Sequence, residues 1–276
     1  MIPFSFCPAL RHRWVVLVCA VVSVLFGSTG ALASAPTVAV PGSYVALGDS
    51  YAAGVGAGSY DAQSGSCMRS TRAYPALWTA AHTPAVFAST ACSGARTGDV
   101  IAGQLGPLNA DTALVSITVG ANDAGFADVM TACVLQSEEV CLDRVAQARA
   151  YIARTLSGNL DQVYQAVRRK ATAARVVVVG YPHLYRLDGT CVTGVGERAR
   201  AAIDAAADDL DTVIASRAAA HKIAFGDVRS AFTGHEICSA APWLNSLTFP
   251  VEESYHPTAA GQLNGYLPVF TATAKQ

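Results

Sequence analysis

Residues 43–53 read SYVALGDSYAA, an apolar run that ends at Leu47 and passes through Gly48 and Asp49 to Ser50, before an Ala-rich stretch. The run lacks polar alternation, which is the pattern of a strand covered on both faces, as in a parallel sheet. Gly48 permits a tight turn at the strand's carboxyl end. A helix starting at Ser50 would point free N–H groups at its hydroxyl and favour developing negative charge there. Taken alone, a Gly-Asp-Ser turn reads equally well as a helix N-cap.

Four further apolar runs rich in branched residues follow at 85–89, 114–119, 175–179 and 223–225. Between them, 74–81, 141–171 and 197–221 are Ala-rich with charges at helical spacing, and Gly158 is expected to interrupt the second. Strands alternating with helices predict an α/β fold, a three-layer α/β/α sandwich around a five-stranded parallel sheet. In such folds the working site lies beyond the carboxyl ends of the strands.

The first 35 residues read as a secretory signal peptide: Arg11 and Arg13, a short apolar run over 14–26, and small residues at 31–35. That run is shorter than the roughly 20 residues a membrane span needs, so no stable span is expected. Of the eight cysteines, Cys7 and Cys19 fall within this leader. The six that remain form an even set, expected in an exported chain to make disulfides paired in sequence order: Cys67–Cys92, Cys133–Cys141 and Cys191–Cys238. No CxxC pair and no clustered histidines point to a metal site. Without the leader, 17 basic residues face 20 acidic ones, a net charge of −3 that does not suit a nucleic-acid partner. Residues 36–276 carry no linker-like stretch or repeat and read as one domain, large enough to bury a sizeable core.

The ends of the second and third runs carry compatible chemistry. After 85–89 comes Ala91-Cys92-Ser93-Gly94-Ala95, and after 114–119 comes Gly120-Ala121-Asn122-Asp123. A glycine N–H and an asparagine amide at strand ends can donate to a tetrahedral oxyanion, with the Ser50 N–H as a third donor. Individually, Gly94 and Asn122 are ordinary turn residues. Near the far end, His256 in ESYHPT stands before Pro257-Thr258, which begin a helix-like run, so the imidazole sits on a loop at its mouth.

With Ser50 in GDSY, Gly94 in CSGA, Asn122 in GAND and His256 in SYHPT, the sequence resembles the GDSL, or SGNH, hydrolase family from Tyr44 to about Gly261, with the blocks in family order. Among its members it looks most like the secreted actinobacterial lipases and esterases. The resemblance implies a flavodoxin-like sheet of order 2-1-3-4-5 and a serine ester hydrolase (esterase or lipase) acting through an acyl-enzyme, with no metal or other cofactor. It also implies an ester or lipid as the partner molecule and a secreted, extracellular or cell-wall-associated location. A monomer is expected. Phospholipase or carbohydrate acetylesterase activity on the same scaffold, or a catalytically silent binding module, are the alternatives.

One departure bears on the histidine. The family usually has Asp three residues before it, and here that position is Glu253. Some secreted relatives orient the ring with a main-chain carbonyl two residues before it, which here belongs to Ser254 and is the preferred partner, with Glu253 as the alternative. Three other histidines, His183, His221 and His235, read as loop, helix-end or core residues, His235 being the one expected nearest the cleft. Asp49 and Asp123 are assigned local turn bonding. Phe126, Val129 and Met130 read either as an acyl pocket or as helix packing, and short to medium acyl chains are expected.

Overall fold

The computed structural model describes residues 42–192 and 194–275. The expected signal peptide at 1–35 lies outside the described residues. Five strands form one all-parallel sheet in the order β2-β1-β3-β4-β5. They are β1 (Ser43–Gly48), β2 (Val86–Ser89), β3 (Thr112–Thr118), β4 (Arg175–Val179) and β5 (Ala224–Gly226). Helices Tyr74–His82 and Leu267–Lys275 pack together on one face, while Glu138–Tyr151 and Ser157–Lys170 pack with Glu197–Ala220 on the other. The order reverses between β1 and β3, which opens a crevice at the carboxyl ends of these two strands.

The central strands are buried because both faces are covered: Val45, Leu47, Val115, Ile117, Val177 and Val178 are all at or below 1% exposure. At the sheet edge, β2 departs from the expected two-sided burial. It has a strand neighbour only on the β1 side, and Val86 is 59% exposed. At two buried polar positions of β3 the partners are tyrosines: the Tyr44 and Ser116 hydroxyls lie 2.7 Å apart, and those of Tyr74 and Thr118 3.3 Å apart. These hydroxyls let β3 carry Ser and Thr in the core without orphaned polar groups.

Contrary to the expectation from the sequence, Gly158 does not interrupt the long helical stretch. Glu138–Tyr151 runs through a π-helical segment, Ile152–Leu156, straight into Ser157–Lys170. A helical glycine costs only about 1 kcal/mol relative to alanine, and buried Ile152, Leu156 and Leu160 anchor the segment in the hydrophobic core.

Three disulfides join Cys67 to Cys92, Cys133 to Cys141 and Cys191 to Cys238. The first braces the turn after β2, where the Ser93 N–H also donates to the Cys67 carbonyl at 3.1 Å. The second ties the helix Phe126–Leu135 to the start of the next one.

The end of β1 is built for close approach. Gly48 has φ +126°, and a Cβ there would strike the backbone of Thr118. Its N–H donates to Gln104 Oε1 at 2.7 Å, and its carbonyl accepts from Gln104 Nε2 at 2.8 Å and from the Cys92 N–H at 3.0 Å. Gln104→Leu therefore orphans a buried N–H, while the carbonyl keeps a partner. The expected cost is about 1–3 kcal/mol, read as a lowered urea midpoint with an unchanged m-value.

Candidate active site

Ser50, Gly94, Asn122 and His256 line one cleft of about 380 Å³. Ser50 opens a four-residue helix, Ser50–Ala53, whose N-cap is Asp49. The Asp49 carboxylate accepts from the Tyr51 N–H at 2.9 Å and from the Tyr181 hydroxyl at 2.5 Å. The Tyr181 oxygen in turn accepts from the Ala121 N–H at 3.4 Å, beside Asn122. Asp123 accepts from both the N–H and the hydroxyl of Thr97. Asp49 thus bonds locally through Tyr51 and across turns through Tyr181, whereas Asp123, assigned local turn bonding from the sequence, bonds only across turns to Thr97. Burial raises the Asp49 carboxyl to about 7, with the Tyr181 and backbone hydrogen bonds pulling the other way.

Ser50, Gly94 and Asn122 follow three different strands and line the same cleft. Gly94 has φ +77°, in the left-handed region that suits glycine. The Asn122 Nδ2 donates to the Ala95 carbonyl at 3.1 Å, which fixes the amide beside the Gly94 turn. Among the described residues, neither the Ser50 N–H nor the Gly94 N–H has an intramolecular acceptor.

His256 Nε2 lies 2.7 Å from Ser50 Oγ, and its Nδ1 lies 2.8 Å from the Ser254 carbonyl. A carbonyl only accepts, so Nδ1 carries the proton and Nε2 is free to accept from the serine. Presenting a carbonyl to a ring two residues later needs an unusual backbone, and Tyr255 has φ +62°, costly for a bulky residue. Several contacts hold it. Tyr51 donates its hydroxyl to the Tyr255 carbonyl at 2.8 Å, the Tyr255 N–H donates to Asn245 at 3.0 Å, and the Asn245 N–H donates to the His256 carbonyl at 2.9 Å. Glu253 is engaged elsewhere, accepting from the Tyr60 hydroxyl at 2.8 Å.

The three histidines His183, His221 and His235 stand apart from the cleft lining. His183 meets Asp208, His221 meets Asp161, and His235 stacks on Trp243 with its Nδ1 against the Ala241 carbonyl. Phe126 and Met130, from the helix Phe126–Leu135, form one wall of the cleft, while Val129 faces a separate apolar cavity of about 70 Å³ that shares Phe126 with the cleft and is also lined by Tyr51. Gln104, Tyr51, Tyr181 and Asn245 carry no motif that would single them out in the sequence. Their roles arise from partners 56 to 211 positions away or across the loop holding His256.

Residues 46–263 match the model of the GDSL-like lipase/acylhydrolase family. The chain belongs to this family. It is a carboxylic ester hydrolase. A lipase from Streptomyces rimosus is 62% identical over 90% of this chain and 92% of its own length, and Lipase 1 of Streptomyces coelicolor is 59% identical over 94% and 96%. The crystal structure of an extracellular lipase from S. rimosus superposes with a TM-score of 0.82 at 64% identity, covering 84% of this chain and 99% of that one. That of a phospholipase A1 from Streptomyces albidoflavus gives 0.83 at 60% identity, with the same coverage.

In this hydrolase the His256 ring is buried beside the Tyr51 and Phe126 rings, 5.2 and 6.3 Å away between centroids. Burial lowers its pKa to about 4, only partly offset by the Ser254 carbonyl. Above pH 6.5 the ring is neutral whether the chain is folded or not. As pH falls through 6.5 toward 4, the unfolded chain takes up a proton that the folded one resists, so this group's contribution to stability is lost as acid is added. An NMR titration of the His256 ring is expected to show its midpoint near pH 4, well below that of an exposed histidine.

Proposed function

We propose that the chain is exported behind a signal peptide at residues 1–35 and works as a monomeric serine esterase or lipase, a single hydrolase domain over 36–276. The observation that carries the reading is the 2.7 Å contact between Ser50 Oγ and His256 Nε2, with Ser254 behind the ring. His256 takes the Ser50 proton as the oxygen attacks the ester carbonyl carbon. The N–H groups of Ser50 and Gly94 and the Asn122 amide receive the oxyanion. Collapse of the intermediate breaks the bond to the leaving alcohol, which departs with the proton held by His256. Water, deprotonated by the same ring, then hydrolyses the acyl-enzyme and restores Ser50. Export is supported by the three disulfides, which persist in oxidising compartments, and by the likeness to an extracellular lipase. Among the described residues no helix is long and apolar enough to cross a membrane.

The cleft volume of about 380 Å³ lies toward the lower end for ligand sites and favours short to medium acyl chains. Phospholipids are the second reading, favoured by the likeness to a phospholipase A1.

Ser50→Ala is expected to lower kcat on a short p-nitrophenyl ester by more than about a thousandfold, with an unchanged melting temperature and no labelling by a fluorophosphonate. Retention of the parent rate would refute the mechanism.

The orienting partner of His256 is tested by a pair of variants. Tyr51→Phe frees the Tyr255 carbonyl from the hydroxyl that holds it and is expected to reduce kcat about tenfold with little change in KM, the equivalent of one buried hydrogen bond. Glu253→Gln is expected to stay within about twofold of the parent, since its carboxylate serves Tyr60. The reverse ranking would assign ring orientation to the carboxylate.

A further inference from the structure

The cleft that holds Ser50 meets a second one, of about 600 Å³, at Ser93 and Gly94, which line both. Away from that junction the two differ in chemistry: Phe126, Met130 and Leu247 line the first, whereas Arg69, Ser89 and Thr90 line the second. An ester has two arms, an acyl chain and an alcohol, and one held at Gly94 stands where both clefts begin. The apolar lining suits the acyl arm, which leaves the polar cleft for the alcohol. We propose that the second cleft is the subsite for the leaving alcohol and that Arg69 binds a phosphate group carried by that alcohol.

The donors on this side are uncommitted. Arg69 is partly buried, its Nη1 donates to the Ala91 carbonyl at 3.4 Å, and among the described residues no carboxylate pairs with it. The hydroxyls of Ser89 and Ser93 have no protein partner among the described residues. Asp99 also lines the cleft; its Oδ2 accepts from the Arg96 N–H at 2.9 Å, and it does not pair with Arg69. A guanidinium fork matches two oxygens of a phosphate, and two hydroxyls beside it favour phosphate over a carboxylate, which has fewer acceptor oxygens to share. The loop carrying the cation is fixed relative to Gly94. The Arg69 N–H donates to Ser64 Oγ at 3.0 Å, its carbonyl accepts from the Asp61 N–H at 2.8 Å, and Cys67–Cys92 ties the same loop to the turn that carries Gly94.

The inference deepens the ester-hydrolase reading of the same site and rests on it, so binding is first measured without turnover. Ser50→Ala protein is titrated by NMR with glycerol 3-phosphate, inorganic phosphate, glycerate and glycerol. Glycerol 3-phosphate is expected to bind tightest, about tenfold more weakly once Arg69→Gln is added, and with a smaller loss for Arg69→Lys. Glycerol or glycerate binding as tightly would overturn the proposal, as would inorganic phosphate doing so, since the alcohol would then contribute nothing. This order is read on protein with Arg69 intact, so it decides the matter even if Arg69→Gln fails to fold. In the active enzyme, kcat/KM is compared for a short-chain phosphatidylcholine kept below its micellar concentration and for p-nitrophenyl butyrate. Arg69→Gln is expected to lower the ratio of the first to the second about tenfold, chiefly through the KM of the phospholipid, and Arg69→Lys to recover part of it. An unchanged ratio, including an equal fall on both esters, would show a merely structural role and overturn the proposal. If Ser50→Ala were still active but glycerol 3-phosphate bound as expected through Arg69, the catalytic assignment would fail and the subsite would stand.

Discussion

The imidazole of His256 sits between two oxygens of different kinds, a serine hydroxyl 206 positions earlier and a backbone carbonyl two positions earlier. A carbonyl fixes the ring's tautomer as a carboxylate would, but it brings no negative charge. Nothing at Nδ1 therefore offsets the desolvation of the imidazolium beyond a dipole, and the ring's pKa drops toward 4. The cost of aiming that carbonyl is borne by Tyr255, whose left-handed backbone is pinned on one side by Tyr51 and on the other by Asn245. Tyr51 directly follows Ser50, so the residue next to the proposed nucleophile helps to hold the backbone that orients the His256 ring.

The second constraint is close approach at the end of β1. Only a residue without Cβ lets Gly48 lie against the backbone of Thr118, and this contact brings the Ser50 turn beside the turn that carries Asn122. Further polar contacts lock the turns to one another: Asp49 through Tyr181 to Ala121, Asn122 to Ala95, and Asp123 to Thr97. Hydrogen-bond donors set in advance where charge will develop need no reorganisation during reaction. The buried Asp49 carboxyl, raised to about 7, shows that this rigidity carries an electrostatic cost.

The cleft is asymmetric in chemistry. Its floor holds the polar groups of Ser50, Asn122 and His256, while Phe126, Met130 and Leu247 supply an apolar lining toward its mouth. The disulfide Cys133–Cys141 secures the far end of the helix that builds one wall. The opposite wall is the loop hydrogen-bonded to Ser254.

Much of this architecture is written locally. Uninterrupted branched runs mark buried parallel strands, and the Gly-Asp-Ser, Ser-Gly and Asn-Asp turns sit at their ends, because the period of side-chain burial and the needs of turns are properties of a few adjacent residues. Gly158 shows the limit of that reading: a residue unfavourable to helix locally was retained because packing by Leu156 and Leu160 outweighed its propensity. The choice between Glu253 and Ser254 at the imidazole could not be settled from spacing, since it depends on the backbone angle of Tyr255 and on Tyr60 drawing the carboxylate away. By itself, then, the sequence determined the fold class, the order of the strands' working ends and the four groups brought to the cleft. Tertiary structure alone decided how the base is aimed and how the turns are locked together. Those depend on tyrosine hydroxyls and amides meeting partners far away in the chain, and such meetings leave no local pattern.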